Sequence, residues 1–205
     1  MGSSCAYADD AVLGFQHRED AERFLEQLQE RVGKFGLERH PEKTRLIEFG
    51  RYAAERREKR GEGKPETFNF LGFTHMCGTS RTTGYFTVKR KTIGKRMAAK
   101  LKEIHAELRR RMHEKATETL KWLQSVVRGY FQYHAIPDNE ERLGAFRHEV
   151  LRNWLRTLRR QSQRSKWTWE RFLKTLGAKL PVVEILHPYP TKRFDAKHPR
   201  QEPCA

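Results

Sequence analysis

The chain has 205 residues, enough for one compact domain or two small ones, with 42 Lys and Arg against 26 Asp and Glu and a net charge of +16. No apolar run is long enough to span a bilayer, and none follows the start as a signal peptide would, so a membrane or secreted protein is not expected. Cys5, Cys77 and Cys204 are too far apart for a paired-cysteine zinc site, and three cysteines do not make a disulfide framework.

The first ninety residues predict short strands and one helix. Residues 5–16 favour two strands around the acidic turn Asp9-Asp10. Residues 19–35 carry apolar side chains at the 3.6-residue period, and Gly36 supplies a stop, so a helix is predicted there. The remaining predictions are a strand over 43–49, a solvated loop over 50–66, and strands over 67–75 and 84–89.

After residue 90 the apolar period becomes helical. The predicted helices are marked by Met97 to Met112, by Leu120 to Phe131, by Phe146 to Leu158, and by a short segment at about 169–176 between the N-cap Thr168 and the stop Gly177. Residues 187–205 contain four prolines and predict an irregular tail.

The positive charge is concentrated in the helical part. Residues 89–180 contain 24 basic and 9 acidic side chains, a net charge of +15, whereas residues 1–88 contain 14 of each. A segregated excess of this kind predicts a polyanionic partner, and nucleic acid fits better than a membrane surface because the same segment has enough apolar residues for its own core.

The tetrapeptide Tyr7-Ala8-Asp9-Asp10 lies on the first predicted hairpin. Adjacent carboxylates repel each other unless a cation lies between them, and two-metal phosphoryl transfer uses carboxylates to hold two ions about 4 Å apart. An ordinary acidic turn is the alternative, and four residues alone do not decide between the two.

The motifs that follow occur in the order of a reverse transcriptase palm. After the predicted helix come residues 36–45 (GLERHPEKTR) and residues 70–73 (FLGF), and further on residues 123–134 (LQSVVRGYFQYH) and 186–190 (LHPYP). Over nearly its whole length the chain resembles bacterial group II intron-encoded reverse transcriptase/maturases. The resemblance implies an α+β fold: the end of a palm with its primer-grip hairpin over 1–90, an α-helical thumb/maturase domain over 91–180, and a tail over 181–205.

The resemblance also implies roles at matching positions. Asp9 and Asp10 match the family's catalytic pair, with Asp9 the more direct ligand of Mg²⁺. Lys43 matches a lysine thought to protonate or neutralise the leaving pyrophosphate, although a surface lysine beside Glu42 is equally compatible. The positions that match primer contacts are Tyr7, Ala8, Phe70, Leu71, Gly72 and Phe73.

Other side chains have a structural and a functional interpretation. Trp154 is expected in the core, and His134 and His148 are expected to pack or to face solvent rather than to bind metal, since no partner has ligand spacing. The arginines expected to contact RNA phosphates, with a solvated helix face as the alternative, are Arg109, Arg110, Arg111, Arg128, Arg152, Arg156, Arg159 and Arg160.

The family's fingers, first palm strands and third metal-binding aspartate would precede the present start, and no paired-cysteine endonuclease module is recognised. We therefore expect a cytoplasmic, ribonucleoprotein-associated fragment that is incomplete as a polymerase. Its expected partners are group II intron RNA, an RNA template with DNA primer, and a fingers–palm portion in trans. The alternatives are a stand-alone basic RNA-binding protein and a metal-dependent nuclease using Asp9 and Asp10; a third carboxylate near this pair would favour an enzyme.

Overall fold

The computed structural model describes residues 3–7, 10–38, 40, 43–80, 83–161 and 166–189. These residues form an α+β chain. The strands are β1 (Ser3–Tyr7), β2 (Asp10–Gly14), β3 (Phe68–Phe70), β4 (Phe73–Thr79) and β5 (Phe86–Thr92). The α-helices are α1 (Arg18–Gly33), α2 (Ala53–Lys59), α3 (Gly94–Arg110), α4 (Ala116–His134), α5 (Glu140–Arg160) and α6 (Trp169–Thr175).

The chain divides into two compact units. The first unit comprises Met1–Leu71 and Met76–Val88, and the second comprises Gly72–His75 and Lys89–Ala205. The two strand systems are a two-stranded sheet, β1-β2, and a three-stranded sheet of order β3-β4-β5.

The first hairpin and the first helix are as predicted. β1 and β2 pair in antiparallel fashion, in a register that runs from Ser3 opposite Gly14 to Tyr7 opposite Asp10. α1 follows, and its stripe buries Ala21 and brings the rings of Phe15 and Phe24 to 5.3 Å.

Two predictions for the first unit were wrong. Residues 43–49 are irregular rather than a strand, and the predicted loop over 50–66 contains α2. Helix-favouring Ala, Glu, Arg and Lys fill α2, and Lys59 reaches Glu55 one turn earlier at 2.7 Å. Local propensity and this pair stabilise a short helix that shows no apolar period.

The first unit has little buried core. Among its described residues the buried apolar side chains are those of Ala21 and Ala53. Larger rings contact each other without full burial, as Phe49 and Phe68 do at 5.1 Å. Apolar burial therefore contributes little to the stability of this unit.

The strand predicted over 67–75 is two strands. Leu71 has φ +47° and Gly72 has φ +81°, so the chain reverses between β3 and β4. Positive φ at two successive residues is the conformation of a tight hairpin turn, whose twist matches that of the flanking strands. β4 and β5 also extend beyond their predicted ends.

The second unit is built on a helical core, and its four helices confirm the predicted apolar periods. Trp154 is 1% exposed and meets Phe172 edge-on at 5.2 Å, while Tyr130 and Phe146 stack at 3.7 Å. Thr168 caps α6 as predicted, because its side-chain oxygen accepts a hydrogen bond from Arg171 N. None of the described helices is long and apolar enough to cross a membrane.

A buried amide joins the end of β5 to the turn between α4 and α5. The Asn139 side chain is fully buried; its oxygen accepts from Thr92 N at 2.9 Å, and its nitrogen donates to Thr92 Oγ1 and to His134 O, both at 2.8 Å. The residue after Thr92, Ile93, donates its N–H to Gly72 O at 3.1 Å. These hydrogen bonds therefore link Gly72, the end of β5 and the turn between α4 and α5.

Substitution of Trp154 tests the core of the second unit. We expect Trp154→Ala to lower the free energy of unfolding by about 3–5 kcal/mol, because it removes a large ring from a fully buried site. Val182 is 66% exposed, so Val182→Ala serves as the control and is expected to change stability by less than about 0.5 kcal/mol. Urea unfolding followed by circular dichroism measures both, and equal effects would contradict the assignment of Trp154 to the core.

Candidate nucleic-acid interface

The first hairpin presents one of the two predicted metal ligands. Asp10 begins β2, is exposed, and pairs in register with Tyr7, whose side chain is 65% exposed. Ala8 and Asp9 lie outside the described residues. Asp10 and Tyr7 therefore lie side by side at the end of an open hairpin, accessible to a substrate.

The described residues do not by themselves make a magnesium site. Among them, no group of three or more His, Cys, Asp or Glu side chains could hold a metal ion. Two-metal chemistry needs several carboxylates around both ions. Asp10 alone does not meet that requirement.

Lys43, predicted to act on pyrophosphate, is exposed in the irregular segment before α2. Its predicted neighbour Glu42 lies outside the described residues. The catalytic role of Lys43 therefore stays a prediction.

The four residues predicted to form a primer grip lie around the turn between β3 and β4. Phe70 and Leu71 are half-buried, whereas Gly72 and Phe73 are buried. A Cβ added at Gly72 would lie 3.2 Å from Nη1 of Arg96 and 3.6 Å from the ring of Tyr133. Glycine is therefore favoured here by its positive φ, and a Cβ would also require the end of the Arg96 side chain to shift slightly.

Motif reasoning missed Arg96 and Tyr133. Phe73 stacks on the Tyr133 ring at a centroid distance of 5.7 Å, and Tyr133 nevertheless remains 53% exposed. An exposed guanidinium and a half-exposed ring thus flank the Gly72 backbone. The residue types suit contact with a phosphate and a base, but their distance from Gly72 in the sequence gave no signal.

His134 is a packed histidine, as expected. Its ring lies 4.2 Å from that of Tyr130, and its Nδ1 is 3.3 Å from Thr92 Oγ1. Burial, followed by the nearby Arg96, lowers the pKa of His134 to about 4. His148, the other histidine considered, packs edge-on against Trp169 at 5.4 Å.

The predicted RNA-binding arginines fall into different environments. Arg110 and Arg111 both pair with Glu107, and Arg152 pairs with Glu149 at 2.8 Å. The guanidinium of Arg159 donates to Trp167 O at 2.9 Å. Arg128 is exposed on α4.

The three remaining arginines lie together. Arg109 on α3 and Arg156 and Arg160 on α5 line a single cleft with His105, Met112 and Thr157. Trp122, which packs against the core, carries Arg111 over its ring at 5.0 Å. The predicted RNA-binding arginines therefore differ in how far neighbouring carboxylates neutralise them.

The first part of the chain is similar to a known protein family. Residues 3–75 match the family model described as Reverse transcriptase (RNA-dependent DNA polymerase). The matched segment includes the Asp10 hairpin, α1, and the turn at Gly72, and it is similar to the reverse transcriptase domain. A comparison with curated proteins found no match.

Substitution of Gly72 tests the turn. We expect Gly72→Ala to cost about 1–2 kcal/mol, because alanine must adopt a positive φ, while the flexible end of Arg96 can shift to make room. Gly84 has φ +70° with open space around it, so Gly84→Ala is the matched control and isolates the cost of φ alone. Chemical denaturation compares them, and a Gly72 cost well above the Gly84 cost would show that Arg96 and Tyr133 are held rigidly.

The low pKa of His134 predicts acid sensitivity. An unfolded imidazole titrates near about 6.5, so between that pH and about 4 the unfolded state binds more protons than the folded state. The contribution of neutral His134 to the free energy of unfolding is therefore fully present above about pH 7, and it decreases as the pH falls towards 4. Burial, with a smaller contribution from Arg90, also lowers the pKa of His75, which acts in the same direction.

We expect His134→Gln to lose less stability than the wild type between pH 7 and pH 4.5, measured by urea unfolding at each pH. His113 is exposed, so His113→Gln is the control and should keep the wild-type dependence. The same loss in His134→Gln and in wild type would refute the role of His134.

Proposed function

We propose that the chain is the carboxyl-terminal part of a group II intron-encoded reverse transcriptase/maturase, which binds intron RNA and contributes to splicing and reverse transcription. The observation that carries the proposal is the order of two segments along the chain: a segment that matches the reverse transcriptase family is followed by basic helices. Residues 3–75 supply the first, and the net +15 of residues 89–180 supplies the second.

The exposure of the first hairpin supports a larger palm sheet. The described side chains of β1 and β2 are exposed except that of Val12, which is half-buried. Two strands without further cover are marginal in water, and both leave unpaired edge groups. A fingers–palm portion supplied in trans would add strands beside this hairpin and the carboxylates that Asp9 and Asp10 need to bind Mg²⁺.

The helical unit supports the RNA-binding part of the proposal. Its arginines stand on helices fixed by a large core, so the guanidiniums are presented by a rigid scaffold. A maturase needs no catalytic side chain, because the intron RNA performs splicing, and the protein reduces phosphate repulsion and holds tertiary contacts. In the second unit the primer would lie along Gly72 and Phe73; Tyr7 and Phe70 of the first unit stay predicted primer contacts.

A stand-alone RNA-binding protein is the second candidate function. It would use the same basic helices, because the net +15 of residues 89–180 does not involve the first unit. A metal-dependent nuclease would need further carboxylates around Asp9 and Asp10.

RNA binding and primer extension together test the proposal. We expect the chain alone to bind structured RNA with an affinity that falls steeply between 50 and 200 mM salt, because binding releases counterions. With Mg²⁺, an RNA template and a DNA primer, we expect no extension by the chain alone.

The control variant is Asp10→Asn, which should leave RNA binding unchanged because it lies outside the basic segment. Extension by the wild-type chain that Asp10→Asn abolishes would show that the metal site is complete after all. Failure to bind structured RNA at low salt would refute both the maturase proposal and the simpler RNA-binding alternative.

A further inference from the structure

The cleft between α3 and α5 has an unusual combination of side chains. His105 and Arg109 are four residues apart on α3, and Arg156 and Arg160 are four residues apart on α5, so each pair projects from one helix face. Because both faces border the same cleft, three guanidiniums line it, and among the described residues no carboxylate does. Mutual repulsion of these cations is electrostatically unfavourable unless an anion lies between them.

The neighbouring acidic side chains do not relieve this repulsion. On α3, Glu103 pairs with Lys100, and Glu107 pairs with Arg110 and Arg111. On α5, Glu149 pairs with Arg152. Within the part of the chain that the structure describes, no ion pair engages Arg109, Arg156 or Arg160, and the nearest polar partner of Arg156 is the Asn153 amide oxygen at 3.5 Å.

His105 and Gln161 complete the surroundings of the cleft. The His105 ring lines the cleft, whereas its Nδ1 is buried and has no hydrogen-bond partner among the described residues. At the end of α5 the Gln161 amide donates to Met112 O, which follows α3, and so links the C-terminal ends of the two helices.

The helix dipoles supply a competing explanation. Arg109 and Arg160 lie in the last turns of α3 and α5, where a cation stabilises the negative end of a helix. That role does not need Arg156, which is a turn earlier. Charge–dipole attraction therefore accounts for two of the three guanidiniums.

We infer that the α3–α5 cleft binds one phosphate group of the RNA backbone, held jointly by Arg109, Arg156 and Arg160 beside the ring of His105. This inference rests on the proposed RNA-binding function and names the site that would bind RNA most strongly. Guanidinium groups suit the task because each can donate two parallel hydrogen bonds to phosphate oxygens. The paired arginines outside the cleft then contribute a weaker, less directional attraction.

The number of phosphates can be read from salt dependence. Each phosphate contact adds about one to the slope of log affinity against log salt concentration. We expect the variant Arg109→Gln/Arg156→Gln/Arg160→Gln to bind RNA about tenfold to a hundredfold more weakly and to lose about one from this slope. A loss of about three would mean three separate phosphates and would overturn the single-phosphate site.

The matched control is Arg110→Gln/Arg111→Gln/Arg152→Gln, which removes the same charge from the same two helices but only from paired arginines. We expect it to weaken binding by less than about threefold. An equal loss in both triple variants would show that total charge matters and would overturn the inference. The single variants Arg156→Gln and Arg160→Gln, each expected to weaken binding, replace the triple variant if it does not fold.

A second measurement separates this inference from the proposed function. Inorganic phosphate is added to the wild-type chain at constant ionic strength while the His105 ring signals are followed by NMR. We expect saturable shifts that are lost in Arg156→Gln, whether or not the chain binds RNA. Unchanged His105 signals would overturn the cleft as a phosphate site, whereas absent RNA binding with intact phosphate shifts would overturn only the proposed function. A lower melting temperature in Arg160→Gln with unchanged RNA and phosphate binding would favour the dipole explanation instead.

Discussion

The arrangement of the second unit depends on the buried side chain of Asn139. An amide has one acceptor oxygen and two donor hydrogens, and Asn139 uses all three, on Thr92 and on the carbonyl of His134. Loss of one partner would strand a buried polar group at a cost of about 1–3 kcal/mol. Ile93, the residue after Thr92, donates its N–H to the Gly72 carbonyl. The position of Gly72 relative to α4 is therefore fixed by the same group of hydrogen bonds.

Burial is distributed unequally between the two units, and this matches what each is proposed to do. The second unit encloses large side chains such as Trp154, Phe146 and Phe172, so its surface arginines are held by a stable framework. The first unit buries Ala21 and Ala53 and leaves both faces of its hairpin open. In the proposed function, the helices of the second unit would bind RNA on a framework of their own, and the hairpin of the first unit would gain stability from strands added beside it.

The arginines of the second unit differ mainly in whether a carboxylate pairs with them. Guanidiniums close to Glu107 and Glu149 are partly neutralised by their own helices, and exposed pairs of this kind contribute little to stability. Those in the α3–α5 cleft are not neutralised in this way, so they are the ones that gain most from an anion. The distribution of carboxylates, rather than the number of arginines, selects the strongest candidate site.

The sequence by itself determined the helices of the second unit, because each buries a continuous stripe that repeats every 3.6 residues, and it determined the cap at Thr168 from local hydrogen bonding. It also identified the Asp10 hairpin, and the family resemblance implied a hairpin at residues 70–73, although the residue pattern predicted a single strand over 67–75. It misassigned residues 43–49 and 50–66, because short segments take their state from partners and local pairs rather than from an apolar period. Only the tertiary structure brought Arg96 to Gly72 and Arg109 to Arg156, since residues so far apart meet through packed helices that no local pattern describes.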